Sequence, residues 1–202
     1  YSAKALGEIK DARAVEPLIA ALQNEGFYYK DWAATALGQI GDPRAITPLI
    51  ASMKGYERAT QNAAKDALVV LGDSAVEPLI AALKNKDAGI RQWSVKALGD
   101  IKDARAVEPL IAVLNDEDFY VRTEVPMVLA GFKDPRVLQP LIASLQDTKW
   151  SQVRMNSADA LAVLNDPAAV EPLIAALQDE DPYVGRQAAW ALGDIQDARA
   201  VE

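Results

Sequence analysis

Residues Asp11 to Gly41, DARAVEPLIAALQNEGFYYKDWAATALGQIG, hold the pattern that decides the fold. Asp11 stands just before an apolar run, where a carboxylate can cap free backbone amides at a helix start. Leu18, Ile19 and Leu22 follow at i, i+1 and i+4, the spacing of a helix side that faces a core. Pro17 falls six residues after the acid. Inside a helix it removes a backbone hydrogen bond, so a kink or a short initial turn is expected there. Gln23 to Gly26 reads as a turn, and a second helix is expected from Phe27 to Ile40. Its Tyr29, Ala33, Ala36, Leu37 and Ile40 form one apolar stripe. Gly41 then closes it in the left-handed conformation that glycine adopts most easily.

The same unit recurs along the 202 residues, with its proline at Pro17, Pro48, Pro78, Pro109, Pro140 and Pro172. A period near thirty residues without a strand pattern predicts an all-α solenoid, because one helix pair cannot bury its own apolar face and leans on its neighbours. Six helix pairs are expected, at 11–41, 42–72, 73–102, 103–133, 134–165 and 166–196, in a single array over 1–202. Partial repeats at 1–10 and 197–202 flank them. Neither end carries a polar capping unit, so end-to-end self-contact or a longer parent array is expected. Asp42, Asp73, Asp103, Asp134, Asp166 and Asp197 repeat the capping role of Asp11. Gly72 matches Gly41. The copies also differ. Gly55, Tyr56, Glu57 and Arg58 replace the usual turn in repeat two, Pro126 should kink the second helix of repeat four, and repeat five has an extra residue near Lys149 and Trp150.

Composition excludes several functions. Half of the residues are hydrophobic and a quarter charged, which suits a packed helical protein and not a disordered one. The net charge of -8 opposes binding to nucleic acid. With no cysteine and no histidine, there is no disulfide, no thiolate or imidazole chemistry and no common zinc site, and no cofactor or metal is expected. The acidic clusters Asp116-Glu117-Asp118 and Asp179-Glu180-Asp181 read as helix caps and not as calcium ligands, since they lack EF-hand spacing. No run has the length of a membrane span or the layout of a signal peptide. The default location is the cytoplasm, although the chain begins at Tyr1 and not at a methionine.

Asp103 to Lys133 shows the motif in full: Asp103, Arg105, Val107, Glu108, Pro109, Leu110 and Ile111, then Asp116, Glu117, Asp118, Val121 and Arg122. This pattern resembles the HEAT-like repeats named after phycobilisome lyases, and the resemblance covers the whole chain. It implies a right-handed α-α superhelix whose concave surface is lined by second helices. It also implies a polar ladder between repeats through the Asp and Val-Arg positions. That arginine is present at Arg91, Arg122 and Arg154 but is replaced by Lys30, Gln61 and Gly185, so the ladder should break in repeats one, two and six. The family includes lyases, chaperone-like factors and interaction modules.

Opposite the apolar stripe, each second helix carries another that varies between copies. It holds Tyr28, Trp32, Thr35 and Gln39 in repeat one, then Gly89, Trp93, Lys96 and Asp100; Tyr120, Glu124, Met127 and Gly131; and Tyr183, Gln187, Trp190 and Asp194. Tyr1 continues it at the start of the chain, and Phe27 and Phe119 border it. Large aromatics on a face that should be solvated mark binding surfaces, although each could instead fill a local groove. The expected partner-binding residues are Tyr1, Phe27, Tyr28, Trp32, Trp93, Lys96, Phe119, Tyr120, Glu124, Tyr183 and Trp190. Asp31, Asp66, Glu124, Asp159 and Asp194 share the stripe and favour a protein or peptide partner with basic and apolar character. The expected function is a non-catalytic scaffold. The alternative implied by the resemblance is bilin lyase or bilin-handling activity, which the acidic face disfavours because bilin propionates prefer arginine or lysine. Deoxyhypusine hydroxylases are similar in architecture but hold iron through His-Glu motifs, which a chain without histidine lacks. HEAT-like DNA glycosylases use a basic groove, which the charge opposes.

Overall fold

The computed structural model describes residues 11–24, 28–55 and 57–195. Twelve α-helices lie among the described residues, and no strand does. They alternate as first and second helices of the repeats. The pairs are α1 (Val15–Gln23) with α2 (Lys30–Ile40), α3 (Ile46–Ser52) with α4 (Arg58–Leu71), and α5 (Asp73–Ala82) with α6 (Ala88–Ile101). They continue as α7 (Val107–Val113) with α8 (Phe119–Ala130), α9 (Leu138–Ser144) with α10 (Ser151–Leu164), and α11 (Val170–Ala176) with α12 (Pro182–Ile195). The all-α repeat architecture is the one expected from the periodicity.

The chain divides into two units, Tyr1–Ala106 and Val107–Glu202. In the first, α2 packs on α4 and α4 on α6; in the second, α8 packs on α10 and α10 on α12. First helices cover one side of these rows. The core runs between the two layers through Val15, Leu37, Leu49, Leu68, Leu79 and Leu98 in the first unit, and Leu110, Leu129, Leu141, Leu161 and Leu173 in the second.

In five repeats the recurrent proline lies in the first turn of its helix and not in the interior. A short 3-10 turn precedes the first helix in five repeats, at Ala12–Ala14, Pro43–Ala45, Ala104–Ala106, Pro135–Val137 and Pro167–Ala169. The α-helix then starts at Val15, so Pro17 sits in its first turn, where the missing N–H would have had no intrahelical partner. Of the two expected outcomes, the short initial turn is the one realised. Asp11, Asp42, Asp103, Asp134 and Asp166 each accept from the backbone N–H two residues on, as capping requires.

Repeat three departs from this plan. There α5 begins directly at Asp73 with Pro78 inside it, and Gly72 holds the N-cap position. Asp73 is therefore not the expected cap, and its carboxylate pairs with the Arg105 guanidinium instead. Gly41 and Gly72 do end α2 and α4 with positive φ, whereas Lys102, Lys133 and Asn165 take positive φ after α6, α8 and α10 without glycine. Helix α8 continues past Pro126 to Ala130. Helix α2 starts at Lys30, three residues later than expected. No side chain caps its first turn. Asp87, Asp118 and Asp181 bond the first amides of α6, α8 and α12, but the matching residue of repeat one is Gly26.

Candidate functional site

Helical geometry puts the variable stripe of each second helix opposite the Ala and Leu stripe that enters the core. In repeat one, Ala33, Ala36 and Leu37 are buried while Tyr28, Trp32, Thr35 and Gln39 are exposed. Tyr28 is 93% exposed and Trp32 is 39% exposed. Tyr29, expected on the core side, is itself exposed and meets Trp32 edge-on at 6.2 Å. It lies before the first helical turn of the shortened α2, so helical register does not turn it inward.

In the second unit the stripe is continuous over three helices. Tyr120 and Met127 on α8 and Tyr183 and Trp190 on α12 are exposed, with Glu124 half-buried between the first two. Polar bonds join the helices across it. Asn156 donates to the Thr123 carbonyl at 2.7 Å, and the Gln187 amide bonds the Asp159 carboxylate. Phe119 stacks edge-on against Tyr120 at 5.3 Å and against Trp150 at 5.6 Å, so it borders the stripe as much as it belongs to it.

Trp93 corrects the sequence-based expectation. It is only 5% exposed, so its indole is core and offers no free surface. The adjacent helix α4 carries Ala59 and Ala63 at the corresponding stripe positions. The Lys96 ammonium lies 5.6 Å from the Trp93 ring centroid, and Lys96 is half-buried. Tyr1 and Phe27 lie outside the described residues. Sequence reasoning passed over Val70 and Val163, both exposed at the fourth stripe position. The register points to both, although neither is aromatic or charged.

The arginines that hold repeats together sit elsewhere. Arg122 donates to the Leu114 carbonyl at 2.8 Å and pairs with Asp147 at 3.3 Å; Arg154 makes a two-pronged contact with Asp179 at 2.7 Å and donates to the Asp147 carbonyl at 2.8 Å. Each ties its own turn to the turn of the next repeat. Gln61 replaces that arginine in repeat two and bonds only its own turn, through the Met53 and Gly55 carbonyls. At Gly185 a Cβ would stand 2.9 Å from the Leu177 carbonyl, which leaves no room for any side chain.

A second ladder runs along the starts of the first helices. Arg44, Arg105 and Arg136 reach back to Glu16, Glu77 and Glu108 at 3.1, 3.6 and 3.4 Å. The same arginines grip the capping acids, and Asp103 and Asp134 are thereby held down to about 2. The side-chain bond from Arg105 or Arg136 is the main cause, with the backbone N–H of the same residue adding to it. These pairs link the starts of successive first helices.

A cleft of about 290 Å³ opens between the ends of α7 and α9, floored by Ile111, Leu114, Pro140 and Ala143. Its charged groups, Arg122 and Asp147, neutralise each other. Asp118 caps α8 through the amides of Tyr120 and Val121, and Asp116 accepts from the Asp118 amide, which accounts for that acidic cluster. Among the described residues no helix is long and apolar enough to cross a membrane.

Comparison with known proteins agrees with this architecture. No curated protein matches the chain. Among solved structures, the complex of CpcE and CpcF of phycocyanin lyase from Nostoc sp. PCC7120 is similar with a TM-score of 0.66 at 24% identity, over 74% of this chain and 99% of that one. Human deoxyhypusine hydroxylase, solved with glycerol, gives 0.55 at 23% identity over 96% and 77% of the two chains. The karyopherin Kap121p, bound to the extreme C-terminus of the protein phosphatase Cdc14p, gives 0.70 at 16% identity, over 91% of this chain and 25% of that one. At these identities the likeness is one of fold alone. The family described as HEAT repeats matches residues 1–69, 53–125, 76–162 and 151–202, which together span the sequence. The chain belongs to the HEAT-repeat family, as its recurring Asp-x-Arg-Ala-Val-Glu-Pro-Leu-Ile motif implied.

Proposed function

We propose that this HEAT-repeat chain is a non-catalytic scaffold that binds a protein or peptide along the outer stripe of its second helices, the partner being both basic and apolar. The observation that carries this reading is where the exposed large apolar side chains stand. Tyr28, Trp32 and Val70 in the first unit, and Tyr120, Met127, Val163, Tyr183 and Trp190 in the second, occupy stripe positions, while Tyr29, Phe119 and Leu177 are exposed off it. Aromatic side chains bury much area for little lost rotamer freedom, so they serve as anchors at interfaces. Asp194 is exposed on the same stripe, and Glu124 and Asp159 are partly so, which favours a cationic partner, while Asp66 and Asp100 are exposed there but share Lys65. Trp93 is excluded from the face by its burial, while Lys96 and Glu124 stay as charges at its edge.

The test is titration with an amphipathic Lys/Leu peptide, with a Glu/Leu peptide of the same length as control. The Lys/Leu peptide should bind and the Glu/Leu peptide should not. Tyr120→Ala and Trp190→Ala should each weaken binding about fivefold or more, the effect of losing a hot-spot aromatic, with unchanged helicity by circular dichroism. Equal binding of both peptides, or binding untouched by either variant, would refute the reading.

A second reading, bilin handling, draws on Arg186, which no carboxylate of the described residues pairs and which lies beside Tyr183 and Trp190. A guanidinium beside aromatic rings suits a tetrapyrrole carboxylate. Visible absorbance retained by the protein after incubation with a bilin and desalting would support this reading; a colourless protein would remove it.

A further inference from the structure

Three tryptophans of the described residues have a cation over the ring, and the differences between them are informative. At Trp150, Lys149 stands 3.9 Å and Arg122 5.4 Å from the ring centroid. Both cations are anchored, Lys149 by the Glu117 carbonyl and Arg122 by Asp147, and Phe119 packs on the same ring. At Trp93 the ring is buried. At Trp190 the situation is open. Tyr183, Arg186 and Trp190 follow one another at i, i+3 and i+7 on one side of α12, with the Arg186 guanidinium carbon 5.0 Å from the Tyr183 centroid and 5.2 Å from the Trp190 centroid. Both rings remain more than half exposed. Arg44, Arg105, Arg122, Arg136 and Arg154 all pair with carboxylates, but among the described residues Arg186 has none and is held by ring faces only.

We propose that Tyr183 and Trp190 form a two-walled receptacle for a cationic side chain of the partner, and that Arg186 is its resident occupant, displaced when the partner docks. Ring faces carry negative potential and attract a cation of either source in the same way. Asp194 lies one turn beyond Trp190 on the same stripe, and Asp159 on α10 is bonded to Gln187 of α12, so carboxylates stand near the receptacle and favour positive charge. A contact made by ring faces alone at an exposed site is weak, which makes the internal arginine replaceable. A partner side chain delivered by docking along the rest of the stripe would have the higher effective concentration. This deepens the scaffold reading by assigning one subsite and its specificity, and it rests on that reading for the partner's wider contacts.

The receptacle is tested apart from any peptide by following the indole N–H signal of Trp190, assigned by its loss in Trp190→Phe. N-acetyl-arginine amide is titrated against sodium chloride at matched ionic strength. Arg186→Gln should show a saturable shift with the arginine derivative and none with sodium chloride. The intact chain should need about three to ten times more of the derivative, the competition expected from a weak internal cation–π contact. Adding Tyr183→Ala to Arg186→Gln should abolish saturation. Equal responses to both salts in Arg186→Gln, or equal affinity in the intact chain and Arg186→Gln, would overturn the proposal. Failure of the Lys/Leu peptide alongside a positive result here would refute only the extended binding face, so the two readings fail separately.

Discussion

At the scale of single residues, the Asp-x-Arg pair joins two tasks. In repeat four the Asp103 carboxylate accepts from the Arg105 amide at 2.9 Å and from its guanidinium at 2.8 and 2.9 Å. Its pKa falls to about 2 from an ordinary 3.8, first because of the Arg105 side-chain bond and next because of the backbone bond. A carboxylate depressed in the folded chain contributes stability that is present above its unfolded pKa and is lost as pH falls toward the folded value. The window is therefore pH 4 down to about 2, and Asp11 and Asp134 share it. Replacing Asp103 by Asn should flatten the acid limb of stability, measured as the urea midpoint from pH 5 to pH 2. An unchanged slope would contradict the assignment. Trp93 shows the limit of reading such residues from sequence. Its spacing placed it on the outer stripe, and spacing fixes the angle around a helix but not the depth of cover that the neighbouring helix supplies.

Between helices, close approach decides which small residues are needed. A Cβ on Gly38 of α2 would stand 2.7 Å from both Cα and Cβ of Ala67 on α4, inside contact distance, whereas one on Gly193 of α12 meets nothing within 4 Å. Both belong to the same Ala-Leu-Gly motif, so sequence gives no means to separate them. Gly38→Ala should push the two helices apart and destabilise the chain by about 1–3 kcal/mol through overpacking. Gly193→Ala should stabilise it by up to about 1 kcal/mol, the helix-propensity difference. Chemical denaturation of both variants checks the contrast, and the same sign in both would refute it. Leu110 is fully buried between the layers, and Leu110→Ala should cost about 2–5 kcal/mol through the cavity it leaves. The helices themselves were legible because apolar spacing repeats in every copy. Their starts were less so. Helix α2 has no side-chain cap and starts at Lys30, and the residue pattern at the recurrent proline leaves a kink and a short initial turn equally open, of which five repeats take the turn.

For the molecule as a whole, two kinds of arginine contact link successive repeats, and neither uses the outer stripe. Arg122 and Arg154 join the turns between helices, while Arg44, Arg105 and Arg136 join the starts of first helices. The stripe of the second helices exposes Tyr28, Trp32, Tyr120, Tyr183 and Trp190, whereas Trp93 on it is buried and Asp100 and Asp159 bond Lys65 and Gln187 of neighbouring helices. The period of the motif made the repeat architecture and the family legible. The face was legible only as a register, because which stripe residues stay exposed depends on neighbours that the register does not describe. The most direct measurement is an amide and indole chemical-shift map of the chain with the Lys/Leu peptide. The account predicts perturbations on the stripe residues of α8, α10 and α12, including the Trp190 indole, with the Arg105 and Arg136 ladder unmoved. Shifts centred on that ladder, or on the cleft between Leu114 and Pro140, would contradict it.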